Sequence, residues 1–242
     1  MVVTGNRMKH DFNNGEGLVT AHKHKNGGGW VADTAQVADS AFIGLNALVY
    51  DNARVSGTAQ VDGHARVSGN AQVYEKAWVY ENAQVYGNAQ VLGTAQVYGD
   101  ARVFGNAKVY GNAQVYGDAR VFGNAWVSEN AQVSGTALVF ENAQVYGHTQ
   151  VFGNAQVLGT ARVYDDARVY DDARVSGNAL VYDDVHVYGD AEVYVPIKFN
   201  CDFDPWKIMQ NILSKKDELP ILIGRDSNLD KIIHELLQKE IK

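Results

Sequence analysis

Proline is nearly missing from this chain, and its three occurrences, Pro196, Pro205 and Pro220, all fall at or after position 196 of 242. Proline removes a backbone donor, so everything before that point is free to form an unbroken hydrogen-bonded ladder. A single cysteine, Cys201, excludes an intramolecular disulfide framework and fits a reducing compartment. No stretch approaches the roughly 20 apolar residues of a membrane span, and residues 1–12 lack the apolar centre of a secretory signal. The chain therefore reads as soluble and cytoplasmic, with no membrane partner. Basic residues are also scarce, 21 Lys and Arg against 28 Asp and Glu, for a net charge of −7. The deficit lies in residues 31–196, which hold nine of the former and eighteen of the latter. That balance argues against sequence-independent nucleic-acid binding, which needs a basic footprint. It suits an exposed, soluble surface or a basic partner.

What is abundant is valine at a fixed interval. From Val31 to Val193 every sixth residue is Val, except Ile43, through twenty-eight consecutive places without a phase slip. Four residues after each stands Ala, from Ala35 to Ala191, broken only at Thr149 and Val185. The unit reads Val85-Tyr86-Gly87-Asn88-Ala89-Gln90, and its places are numbered one to six from the valine. A short fixed period means a solenoid, whose units bury apolar residues only by stacking on their neighbours. Neighbours in a strand point to opposite faces, so Val faces inward while the flanking Gln and Tyr face out. Gly-Asn supplies a sharp turn, because both residues tolerate left-handed backbone. Ala is small enough to pack inside the corner. Three such sides close a coil of eighteen residues; a two-sided coil of twelve is the alternative.

This pattern resembles the hexapeptide-repeat left-handed β-helix family, whose unit has an aliphatic first residue and a small fifth one. The aromatic at position two, the glycine at position three and the opening Gly27-Gly28-Gly29-Trp30-Val31 resemble the YdcK-like group of bacterial and phage proteins. The resemblance covers about residues 26–195. It implies an all-β fold, a three-sided left-handed parallel β-helix of about nine coils. For the wider family it also implies trimers and CoA-dependent acyl transfer at a histidine between subunits. Those enzymes usually carry a loop thrown out between coils, and this repeat has none.

Eighteen-residue stacking makes columns that can be read directly. One outer column runs Tyr86, Phe104, Phe122, Phe140, Leu158, and another holds Gln96, Gln114, Gln132 and Gln150. A third side is expected to stack Arg102 over Arg120, each two residues before a Phe of the first column. All thirteen tyrosines, and four of the eight phenylalanines, occupy position two. Rows of outward aromatics mark a candidate interface, or else stabilise the ladder by packing on one another. Arg102, Phe104, Arg120, Phe122 and Phe140 are the candidate binding surface for a homo-oligomer, a dimer or trimer, or for another protein.

The ends need closing, because an open solenoid exposes core and unpaired backbone. Residues 1–29 are read as an N-terminal cap segment, with Gly17 to Ala21 as a strand and His22-Lys23-His24-Lys25 as a solvated basic turn. The β-helix spans 30–196. Residues 197–242 are expected to form a small helical cap or oligomerisation segment. A helix opens at Asp204-Pro205, and a second presents Leu229, Ile232, Ile233, Leu236, Leu237 and Ile241 along one face.

Catalytic chemistry is thin. The histidines of the repeat are His148, His64 and His186, none with an obvious companion, and they are weak candidates for acyl transfer from acyl-CoA. The acidic turn residues Asp165, Asp166, Asp183 and Asp184 stack in pairs, a weak candidate site for calcium. No cofactor is otherwise expected. The favoured function is a non-catalytic solenoid that binds a protein partner or itself, with a CoA-dependent acyltransferase as the alternative.

Overall fold

The computed structural model describes residues 7–194. The expected helical cap at 197–242 lies outside the described residues. Within them the chain is all β: a three-sided parallel solenoid of about nine coils, built from two-residue strands that hold positions six and one. From Trp30 on, successive strands of each face pair in parallel at eighteen-residue spacing, as in Gln84↔Arg102 and Val85↔Val103. The coil is therefore three-sided, and the twelve-residue alternative falls. At about 4.8 Å per coil the rod is roughly 45 Å long.

In most units three backbone donors bond to the next coil. Gln84 N–H donates to Ala101 O at 2.9 Å, Tyr86 N–H to Val103 O at 3.0 Å and Asn88 N–H to Gly105 O at 2.7 Å. The ladder thus runs round the corners as well as along the sides. From Asp51 to Gly189 position three takes positive φ, with Gly87 at 71° and Gly105 at 70°. Where it is not glycine it is acidic: Asp51, Glu75, Glu81, Glu129, Glu141, Asp165, Asp171 and Asp183 all have φ between 55° and 63°. Left-handed backbone disfavours a side chain, and here the carboxylate offsets that cost. In five of the eight the N–H of the glycine one coil on donates to the carboxylate, as with Gly99 to Glu81 at 2.8 Å, Gly147 to Glu129 at 3.0 Å and Gly159 to Glu141 at 2.8 Å.

Val and Ala fill the interior, nearly all with no exposed surface. The two breaks in the alanine column are both absorbed. Thr149 is fully buried and its hydroxyl donates to Tyr146 O at 2.7 Å; Val185 packs against the core as a half-buried side chain.

The N-terminal cap is β structure. Strand β1 (Met8–Asp11) pairs antiparallel with β2 (Leu18–Lys23), which pairs antiparallel with β3 (Trp30–Ala32), the first strand of the array. These strands extend the first face to twelve strands, while the second and third faces have nine each. Phe12, Ala21, Ala32 and Tyr50 form a separate small core beneath them. Gly27 and Gly29 lie flat on the third face's first strand, with Gly29 N–H donating to Ile43 O at 2.9 Å. A Cβ on Gly27 would stand 2.3 Å from Ile43 O, and one on Gly29 would stand 2.4 Å from Gly44 O. This contact corrects the expectation of a solvated basic turn. His22 and Lys23 belong to β2, His22 Nδ1 lies 3.1 Å from the Asp33 carboxylate, and His24 is buried at 5% exposure. The Arg102–Arg120 pair needs a second correction. It lies on the same sheet as the phenylalanine column, since each Arg shares its strand with the valine preceding a Phe.

Candidate functional site

Position two of each face builds an outer column, and the three columns differ. On the first face Tyr86, Phe104, Phe122 and Phe140 stack with centroids 4.9 Å apart and planes within 1–2°. Leu158 continues the run and is buried, and Arg102 and Arg120 stand exposed beside it. The third face stacks Tyr80, Tyr98 and Tyr116 at 4.8 and 5.0 Å, then Phe152 and Tyr170 at 4.9 Å. The second face stacks Tyr146, Tyr164 and Tyr182 at 5.1 Å. Stacking hides the ring faces, so these side chains are mostly half-buried rather than exposed, with only their edges facing out. Burial pushes the Tyr98 hydroxyl above its ordinary value, and Tyr80, Tyr116 and Glu81 add to the rise. Tyr80 is raised in the same way, by burial and then by Glu81.

Corner residues stack too. Asn70, Asn88, Asn106, Asn124 and Asn142 form an amide ladder, each side-chain N–H donating to the next carbonyl oxygen at 3.0–3.1 Å. Thr94, Asn112 and Asn130 make a similar chain on the second corner.

That second corner passes into the most distinctive polar feature of the surface. Asn130, His148, Asp166 and Asp184 form its outer column, and Gln132, Gln150, Arg168 and His186 the adjoining column of the third face. Together they line an open groove of about 610 Å³. Two of the three candidate histidines, His148 and His186, thus share one groove, together with Asp166 and Asp184. His64 lies exposed on another corner towards the N-terminal end, its N–H donating to Glu81 O at 2.6 Å. His186 packs edge-on to Tyr170, with centroids 6.1 Å apart. Asp165 and Asp183 sit at position three, outside the groove, and the Asp165 carbonyl accepts the His148 N–H at 2.7 Å. Among the described residues no cluster of three or more His, Cys, Asp or Glu side chains suits a metal ion. No helix among them is long and apolar enough to cross a membrane.

The reading of isolated histidines missed this groove, although the signal was arithmetic. Asp166 and Asp184 stand eighteen and thirty-six residues after His148, and His186 stands beside Asp184 across one corner residue. The acid-over-glycine rule was legible in the same spacing, as in Glu81/Gly99 and Glu141/Gly159.

Comparison with known proteins agrees with this geometry. The YdcK Beta solenoid repeat family matches residues 65–81, 95–111, 113–129, 161–175 and 173–189, each segment about one coil long. No curated protein matches the chain.

Proposed function

We propose that this YdcK-type β-solenoid is a non-catalytic scaffold, a rigid rod that binds a second copy of itself side by side through its first face. The supporting observation is the run Phe104, Phe122, Phe140, Leu158, four consecutive rungs without a hydroxyl. Stacking already covers the ring faces, so what a partner gains is the apolar ring edges and Leu138 beside them. Arg102 and Arg120 flank the strip and are placed to reach over rings of the facing copy. A self-complementary strip of this kind closes as a dimer or trimer. The reducing, cytoplasmic setting suggested by the lone Cys201 belongs to the same reading.

Mass in solution tests it. The intact protein should sediment at a multiple of the chain mass at micromolar concentration. Phe122→Asp should sediment as a single chain with an unchanged circular dichroism spectrum, because the side chain points away from the core. A monomeric wild type overturns self-association and leaves a different protein as the occupant of the strip.

The convergence of His148 and His186 on one groove favours a second reading, acyl transfer from acyl-CoA. Against it, Asp166 and Asp184 line the same groove and repel the phosphates of CoA, with only Arg168 to oppose them. Saturable acetyl-CoA binding that His148→Ala abolishes would bring this reading forward.

A further inference from the structure

Each aromatic column behaves as a stack of rungs, and on the second face one rung is missing between two rings. Tyr110, Ser128 and Tyr146 succeed one another at eighteen-residue spacing, joined through the pairing of Lys108–Val109, Trp126–Val127 and Gln144–Val145. Ser128 is too short to fill its place. What remains is a slot of about 200 Å³ lined by Tyr110, Tyr146, Trp126, Ser128, Glu129 and Gln144. An apolar cavity of roughly 150 Å³ is enough to hold a benzene ring.

Two observations separate this slot from the other serine breaks between rings, Ser68 and Ser134. Ser128 is buried at 5% exposure, whereas the other two are only half-buried. Its strand carries Trp126 where theirs carry Arg66 and Gln132, so the indole forms an additional wall. The spacing also suits a ring. Across two coils the Tyr110 and Tyr146 side chains lie about 10 Å apart. A ring midway would stand about 5 Å from each, inside the 4.5–7 Å range of aromatic pairs. Ordinary rungs of these ladders stand at 4.9–5.1 Å.

The rim adds polarity. Glu129 is held in place because its Oε2 accepts the Gly147 N–H at 3.0 Å, which leaves its other carboxylate oxygen to accept from a ligand. Lys108 Nζ lies 5.4 Å from the Trp126 ring centroid and fixes that ring from the neighbouring coil.

We propose that the Ser128 slot is a binding site for one planar aromatic ring bearing an O–H or N–H donor, a phenol or an indole, which completes the ladder by intercalating between Tyr110 and Tyr146. The donor reaches Glu129, and Ser128 meets the ring's inner edge. The ring comes either from a free small aromatic or from a tyrosine or tryptophan side chain of a partner. The site is independent of self-association through the first face.

The test follows the Trp126 indole N–H of the full chain by heteronuclear NMR. Added p-cresol should shift it saturably, and cyclohexanol, which has a hydroxyl but no π face, should not. Ser128→Tyr supplies the missing ring from within and should weaken p-cresol binding about tenfold or more, while raising the thermal midpoint. Ser128→Ala keeps the slot open and should still bind. N-acetyl-tyrosinamide decides the source: tighter binding than p-cresol assigns a partner side chain, and weaker binding a free small molecule. Absence of a saturable p-cresol shift in the wild type overturns the proposal, as does an equal response to cyclohexanol. Undiminished binding by folded Ser128→Tyr also overturns it.

Discussion

The phenylalanine strip of the first face and the aspartate corner between the second and third are built on the same lattice. Both place residue i over residue i+18, yet like-with-like stacking has opposite consequences in the two. Phe104, Phe122 and Phe140 gain from identical neighbours, their rings stacked at 4.9 Å, as do Asn88, Asn106 and Asn124 through amide bonds at 3.0 Å. Asp166 stands over Asp184, and Asp165 over Asp183, where identical neighbours repel. A parallel solenoid thus multiplies whatever a side chain does with a copy of itself. Mixed columns such as Asn130, His148, Asp166, Asp184 mark places where self-stacking no longer governs the choice of residue.

The contrast is broken most strongly on the aromatic side. Phe122→Ala removes two ring contacts and should lower stability by about 1–3 kcal/mol. Asp166→Ala should change it by less than about 0.5 kcal/mol. Thermal unfolding of the two variants beside wild type measures the difference, and equal losses would show that the columns do not stack independently.

A smaller effect separates tyrosine ladders from the phenylalanine strip. Burial raises the hydroxyl pKa of Tyr80 and Tyr98 in the folded chain above the ordinary value of 10.0. The folded state therefore holds those protons when the unfolded chain has released them. Stability should fall as pH rises through the unfolded value near 10 and go on falling until the folded groups also ionise. Replacing Tyr80 and Tyr98 together by Phe should remove their share of the alkaline loss, leaving that of Tyr74, Tyr146 and Tyr164, and keep stability at neutral pH nearly unchanged. Denaturant titration at neutral and alkaline pH reads both arms.

The smallest effect concerns the acidic pair. Asp183→Asn removes repulsion with Asp165 and should stabilise by at most about 0.5 kcal/mol, with the gain shrinking as salt is added. A destabilised variant would show instead that the Asp183 carboxylate is held by an attractive contact.

The repeat was legible because it is redundant. Val97 and Val115 could be placed in the core, and Phe104 over Phe122, from spacing alone, and each column confirms its neighbours. The burial of the outer rings was not legible in that way. A residue pointing outward reads as exposed until the ring one coil away is seen to cover its face, as Phe122 covers Phe104. At the cap no period helps. His24 is buried because the Gly27–Gly29 segment folds back on Ile43, a contact between residues about fifteen apart that no repeat announces. The His148–His186 groove lies between these cases. Its residues could be aligned by counting, but histidines considered singly give no reason to count.

Small-angle X-ray scattering of the intact protein tests the central claim, side-by-side association through the phenylalanine strip, most directly. That geometry predicts a particle whose cross-section grows while its length stays near that of one rod, and Phe122→Asp should return the cross-section to that of a single solenoid. A particle that instead lengthens at constant cross-section, or one whose cross-section is indifferent to Phe122→Asp, would contradict it.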